Sequence, residues 1–192
     1  NISLQGEDAK EGEVLIEEGA IIHPGTIALL ATFGYAEVKV AKKPVVGILA
    51  TGTELLDVAQ PLEAGKIRNS NGPMIAAQLD RMDIPYRSYG MLGDDFDTCL
   101  EKVLQVLAEV DILITTGGVS VGDYDYLPAI YEKLGAQVLF NKVAMRPGSV
   151  TTVATVGKQL LFGLSGNPSA CFTGFELFTR PALLTMMGAE KP

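Results

Sequence analysis

The stretch that most restricts how this chain can fold is Asp111-Ile112-Leu113-Ile114-Thr115-Thr116-Gly117-Gly118-Val119-Ser120-Val121-Gly122-Asp123-Tyr124-Asp125-Tyr126. Ile112, Leu113 and Ile114 form a short apolar run bounded by turn residues, the pattern of a strand covered on both faces. Gly117, Gly118 and Gly122 admit positive φ and let a ligand approach the backbone closely. The N–H groups of such a turn, and of the helix that follows it, make an anion site. Asp123 and Asp125 set carboxylates on the same rim, so the parts suit a phosphate with a divalent cation. A plain βα turn is the competing reading of one glycine pair, and the rest of the chain decides between them.

From Val45 onward the pattern alternates strand and helix. Residues 45–50 read as a buried strand that breaks at Thr51-Gly52-Thr53-Glu54, and residues 57–68 as a polar loop. Asn69-Ser70-Asn71-Gly72-Pro73 opens a helix with capping side chains and an early proline. Ile75, Ala76, Leu79 and Met82 form its inward face. A strand over 85–91 leads to Gly93-Asp94-Asp95, and then Cys99, Leu100, Val103, Leu104 and Leu107 recur at helical spacing. After the glycine turn, Pro128 falls in the first turns of a helix with Ile130 and Leu134 inward and Gly135 at its end. Residues 138–140 form a strand, and residues 151–156 and 160–162 a hairpin around Gly157-Lys158. The last helix starts with Asn167 as cap and Pro168 as first residue. It carries Phe172, Phe175, Leu177, Phe178, Leu183 and Leu184, and Pro181 should end or bend it.

This alternation predicts an α/β fold, a three-layer α/β/α arrangement with a mainly parallel sheet. Ligands in such sheets bind outside the carboxyl ends of the strands. Residues 51–54, 93–95, 117–125, 142–148 and 165–168 all follow strands, so five turns should share one rim. Residues 1–43 differ and read as a small α+β arm. A strand is expected at 14–16, a helix after Pro24 with Ile27, Leu29, Leu30 and Phe33 on its apolar face, and a half-exposed strand at Val38 and Val40. His23 reads as a cap or surface residue. Lys42-Lys43-Pro44 marks the boundary, giving an arm (1–43), an α/β domain (44–188) and the start of a further unit (189–192). A chain opening on Asn1 is expected to be part of something longer.

Composition narrows the chemistry. With 192 residues, 47% of them apolar, the chain can bury a sizeable core. Its formal charge of -8 argues against a non-specific nucleic-acid surface. Cys99 and Cys171 are the only cysteines and His23 the only histidine, which argues against a zinc site or a histidine-based triad. No apolar run reaches the ~18 residues of a membrane span, and no signal peptide opens the chain, so a cytoplasmic location is expected.

Chemistry at the rim follows from a few side chains. Lys142 and Arg146 supply positive charge, and Arg grips a phosphate bidentately. Glu54, Asp94 and Asp125 are hard oxygen ligands suited to Mg2+ or to ring amines and hydroxyls; Asp95 and Asp123 read better as caps or solvated loop residues. Ser120, Ser165 and Ser169 have no histidine nearby in sequence to activate them. The turn lacks a P-loop lysine, and no GxGxxG follows a strand. The residues alone therefore describe an anion-binding α/β domain with metal-assisted phosphoryl or oxyanion chemistry.

Four segments carry a family resemblance: Thr51-Gly52-Thr53-Glu54-Leu55; residues 116–125; Lys142-Val143-Ala144-Met145-Arg146-Pro147-Gly148; and Gly163-Leu164-Ser165-Gly166-Asn167-Pro168. Together, in this order, the chain resembles the molybdenum insertases, the molybdopterin molybdenumtransferases of MoeA type, relatives of the gephyrin E domain. The resemblance implies a molybdopterin-binding fold and ligation of molybdate to adenylylated molybdopterin, with release of AMP and Mg2+ assisting. It matches Glu54, Asp94 and Asp125 to the family's acidic residues, with Glu54 and Asp125 as metal ligands, and Lys142 and Arg146 to its basic pair. Gly117, Gly118, Val119, Ser120, Gly122 and Asp123 match the turn that cradles the pterin phosphate. Thr51, Gly52, Pro147, Gly148, Ser165, Gly166 and Asn167 complete the expected ligand-binding set.

Thr53, Ser149-Val150 and Ser165 stand where the family often has Asp, Lys-Pro and Pro. The resemblance further implies a homodimer at full length, whose sites draw on both chains, and a molybdopterin adenylyltransferase as a partner. Two other readings stay open. One is the adenylyltransferase itself, which shares the fold and performs the preceding step with Mg-ATP. The other is a non-catalytic gephyrin-like scaffold.

Overall fold

The structure is a computed structural model that describes residues 2, 4–93, 95–117 and 126–189. Its strands are β1 (Val46–Thr51), β2 (Leu55–Leu56), β3 (Ile67–Arg68), β4 (Tyr86–Leu92), β5 (Ile112–Thr116), β6 (Gln137–Phe140), β7 (Thr152–Val156) and β8 (Gln159–Leu164). Six of them form one sheet in the order β4-β1-β5-β8-β7-β6. β1 pairs in parallel with β4 and β5, and β5 with β8. β7 runs antiparallel to both β8 and β6. Two reversals cancel, so β6 points the same way as β8. The carboxyl ends of β4, β1, β5, β8 and β6 therefore lie on one edge, as the spacing of the turns predicts.

The helices are α1 (Pro24–Thr32), α2 (Asn71–Arg81), α3 (Phe96–Leu107), α4 (Leu127–Lys133), α5 (Pro168–Gly174) and α6 (Arg180–Met186), with a π-helical turn at Phe175–Thr179 between the last two. Side-chain alternation along the central strands separates two cores. Ile48, Ile112, Ile114, Phe162 and Leu164 pack with Ile75 and Leu79 of α2 and with Cys171, Phe175 and Leu183. Leu49, Leu113 and Leu161 pack with Cys99, Val103 and Val106 of α3 and with Leu127, Ile130 and Tyr131 of α4. All five residues of β5 are buried, which is why that strand reads as a continuous apolar run. Asp111 anchors its start: a carboxylate oxygen accepts the Val45 N–H at 2.8 Å, and the Asp111 N–H donates to the Val45 carbonyl at 2.9 Å.

Several expectations are corrected. The arm contains α1 and, among the described residues, no strand: residues 14–16 and 38–40 are irregular. Val14 and Val40 are about two-thirds exposed, and a strand with neither a partner nor a covered face has nothing to hold it. Ile27 and Phe33 are exposed rather than packed. The helix itself forms, ends before Gly34 at φ +78°, and is capped by His23 as expected. The loop over 57–68 is not wholly irregular, since Ile67–Arg68 pairs in parallel with Leu55–Leu56. Leu104, Phe172 and Leu177 point to solvent. Pro181 does not end the last helix. The Arg180 N–H reaches back to Phe175 in an i→i−5 bond, and Pro181 then occupies the first positions of α6, where its missing donor is tolerated.

Candidate anion-binding site at the carboxyl edge of the sheet

Strand register brings three turns into contact. Thr51 lies opposite Leu92 on β4 and next to the Ala50–Thr116 pair, and Thr116 lies opposite Leu164. The Thr51 hydroxyl donates to the Thr116 carbonyl at 3.2 Å, and the Gly117 N–H donates to the Leu164 carbonyl at 3.1 Å. Gly117 sits at φ +82°, and a Cβ there would lie 2.3 Å from the Thr51 carbonyl oxygen. Only glycine lets these two strand ends close up. A Cβ built on Gly166 would lie 3.5 Å from the Gly117 Cα, so the turn after β8 also reaches this point. At Gly52, φ +142°, a Cβ would fall 2.6 Å from a Glu54 carboxylate oxygen. The Glu54 side chain thus folds back over the glycine it follows.

The loop after β6 joins the same series. Val143 N–H bonds the Ser149 carbonyl at 2.9 Å, and Met145 N–H bonds the Val143 carbonyl at 2.8 Å. The Arg146–Pro147 peptide is cis. Gly148, at φ +98°, is buried; a Cβ there would sit 3.4 Å from the Ala170 carbonyl of α5. The buried Thr151 hydroxyl donates to the Gly148 carbonyl at 2.8 Å, and Asn167 caps α5 by accepting the Ala170 N–H at 3.2 Å. Lys142 and Arg146 are exposed. Neither has an ion pair or hydrogen bond among the described residues. Arg81, Arg87 and Arg180, by contrast, each pair with a carboxylate. Among the described residues, then, no carboxylate neutralises these two cationic groups of the rim.

Asp94, Gly118, Val119, Ser120, Gly122, Asp123 and Asp125 lie outside the described residues. Thr51, Gly52, Glu54, Gly117, Gly166 and Asn167 form one contiguous series, with Gly148 joined to it through α5. Pro147 and Ser165 lie in the same turns. Asp95 is a cap: its carboxylate accepts the Thr98 N–H at 2.8 Å and the Thr98 hydroxyl at 2.7 Å, bonds that hold it below the usual aspartate range. His23 Nδ1 caps α1, accepting from Gly25 and Thr26. Burial pushes the Cys171 thiol up to about 12, so it is an inert core group.

No cluster of three His, Cys, Asp or Glu side chains is found among the described residues. Among the described residues of these turns Glu54 offers a carboxylate, an oxygen donor of the type that Mg2+ bound through substrate phosphates takes.

Two contributors escape sequence reading. Lys66, half-buried, donates to the Thr53 carbonyl at 2.6 Å and brings another cation to the turn that bears Glu54. Asn71 looks like a helix-start residue, yet its Nδ2 donates to the Gly166 carbonyl at 2.9 Å. Both contacts bridge distant segments, and no local pattern announces them. A cavity of about 1530 Å3 lies elsewhere. It runs between the arm and residues such as Met82, Arg180 and Met187, where a segment without strands lies loosely over α2 and α6.

No helix among the described residues is long and apolar enough to cross a membrane. Residues 47–185 match a family described as "Probable molybdopterin binding domain". The chain is 61% identical over 189 residues to the molybdopterin molybdenumtransferase of Staphylococcus aureus (strain COL), covering 98% of this chain and 45% of that protein. Identity to the molybdopterin molybdenumtransferase of Bacillus subtilis (strain 168) is also 61%, over 192 residues, all of this chain and 45% of that one. The crystal structure of a molybdopterin biosynthesis MoeA protein from Pyrococcus horikosii superimposes with a TM-score of 0.84 at 28% identity, covering 96% of this chain and 46% of that chain. A tungsten cofactor synthesizing protein MoaB from Pyrococcus furiosus shares the fold, with a TM-score of 0.55 at 19% identity over 78% of this chain and 99% of its own. The chain thus spans less than half the length of the curated relatives it matches.

Proposed function

This chain belongs to the molybdopterin-binding domain family, and from that premise we propose that it forms the ligand-binding core of a molybdenum insertase. The reaction is ligation of molybdate to adenylylated molybdopterin, with cleavage of the adenylyl bond and release of AMP. One observation carries the reading. Gly52, Gly117 and Gly166 meet at the strand ends beside Glu54, in the same edge as a loop bearing Lys142 and Arg146, which have no ion pair among the described residues.

Each part has a task. The glycine floor admits the pterin phosphate close to main-chain N–H groups that a side chain at those positions would cover. Lys142 and Arg146 hold molybdate or phosphate oxygens, Arg146 bidentately. In an acidic protein their value lies in having no carboxylate partner among the described residues, so the incoming anion displaces water rather than a salt bridge there. Glu54 and Asp125 would hold a Mg2+ carried on the substrate phosphates. When bound, Mg2+ neutralises phosphate charge and so favours departure of AMP. Asp94 takes part in orienting the pterin. Thr51, Pro147, Gly148, Ser165 and Asn167 shape the floor, with Gly118, Val119, Ser120, Gly122 and Asp123 continuing it.

The exposed apolar side chains of the arm, Leu4, Val14, Ile21 and Val40 among them, support a homodimer in which the arm is covered by a second copy. A cytoplasmic location and transfer of the adenylate from a molybdopterin adenylyltransferase complete the proposal.

The test uses a chain extended to the length of the curated relatives, incubated with adenylylated molybdopterin, Mg2+ and molybdate. AMP release that depends on molybdate is the expected result. No AMP overturns the assignment, and formation of adenylate from Mg-ATP and molybdopterin replaces it with the preceding step.

A further inference from the structure

Asn71 is 7% exposed. Its Nδ2 donates to the Gly166 carbonyl, while its Oδ1 is buried without a donor among the described residues. Turning the amide over would set Oδ1 against the Gly166 oxygen at 2.9 Å, acceptor against acceptor, so the donor facing Gly166 is fixed. Orientation of the neighbouring peptide follows. Among the described residues the only cis bond is Arg146–Pro147, so the Gly166–Asn167 peptide is trans, and its C=O and N–H point in opposite directions. With the carbonyl drawn inward to Asn71, the Asn167 N–H is turned outward at an exposed stretch of the rim. Among the described residues its partner is the Ser165 hydroxyl at a long 3.3 Å, a contact an anion can replace.

We infer that Asn71 is a positioning residue: it locks the Gly166–Asn167 peptide so that the Asn167 N–H is presented to an oxyanion bound at the rim. Glycine at 166 leaves this peptide free to rotate. Without Asn71 it can turn its carbonyl toward the same point and repel the anion. The start of α2 offers no substitute. The Gly72 N–H is taken by Asn69 Oδ1, the Met74 N–H by the Ser70 carbonyl, and Pro73 has none. The role also accounts for an otherwise awkward asparagine, since one half of its amide gains nothing from being buried. The inference rests on the proposed oxyanion site.

The probe is inorganic molybdate, titrated into 15N-labelled protein at pH 7.5, with wild type compared with Asn71→Ala and Asn71→Asp. In wild type the Asn167 amide resonance moves on titration. Both variants bind at least about tenfold more weakly and lose that shift, although Asn71→Ala melts within a few degrees of wild type. A purely structural role predicts the reverse: lower melting temperatures, and an Asn167 shift that survives at saturation. Wild-type binding with Asn71→Ala affinity within twofold overturns the inference and leaves the proposed function standing. If wild type does not bind molybdate, the oxyanion reading fails, and a ligand-free crystal structure of Asn71→Ala still decides the peptide lock. A Gly166 carbonyl still turned inward in that structure refutes the lock, and a rotated peptide supports it.

Discussion

Gly117→Ala tests how tightly the strand ends are drawn together. Two costs apply at once. A non-glycine residue at φ +82° pays about 1–2 kcal/mol for the left-handed region. The new methyl would also sit 2.3 Å from the Thr51 carbonyl oxygen, more than about 1 Å inside a comfortable van der Waals separation. That oxygen belongs to the backbone of a buried central strand and cannot swing aside as a side-chain tip would. Overpacking of this kind costs about 1–3 kcal/mol. Together the penalty is about 2–5 kcal/mol, a drop of roughly 4–20 °C in melting temperature for a domain of this size. Circular dichroism melts, run beside Gly93→Ala, give the assay. Gly93 is on the same edge but has open space around its Cβ position and no positive φ, so Ala there should melt within about 2 °C of wild type. If Gly117→Ala matches Gly93→Ala, the strand ends are not in contact and the rim is misdrawn.

Other consequences are simpler to check. Lys142→Ala and Arg146→Ala should each weaken molybdate or AMP binding by about tenfold, measured by calorimetry, with affinity falling further as salt rises because both groups are exposed; unchanged affinity in both removes this loop from the site. Asp95→Ala should lower the melting temperature at pH 7, and by progressively less as pH falls below 3.8. The native carboxyl is held below its ordinary 3.8 by Thr98, so its contribution is present above that pH and fades as pH falls through the depressed native value. Cys171 runs the other way. Its pKa, raised from 9.0 to about 12 by burial, gives stability present below pH 9.0 that is lost as pH climbs toward 12, and a thiol reagent at pH 8 should label it only at the rate of unfolding. Rapid labelling of native protein would show that the α5 side of the core opens.

Strand–turn–helix punctuation made most of the α/β domain legible. Ile112 to Ile114 could only be a covered strand, and the Asn167-Pro168 cap announced α5. Because β4, β1, β5, β8 and β6 run one way, those readings placed the turns after them on one edge. Reading failed where structure depends on distant contacts. Val14-Leu15-Ile16 has the composition of a strand but finds no sheet edge to join. Phe172 and Leu177 have helical spacing but are exposed; Leu177 falls within the π-turn at Phe175–Thr179, which shifts the angular register there. Lys66 and Asn71 reach the rim only through residues 13 and 95 positions away, separations that no local pattern encodes. The basic loop was legible for a different reason: Arg146 before Pro147-Gly148 marks a fixed turn, and Gly148 proves to be the point at which it seats on α5.

The most direct trial of the whole account is an amide chemical-shift map recorded during titration with molybdate and AMP. Perturbations should gather at residues 51–54, 117, 142–148 and 165–168, with the arm silent. Shifts confined to residues 9–41 and the α6 side of the groove beneath them would mean that the ligand binds in the wrong place for every role assigned here.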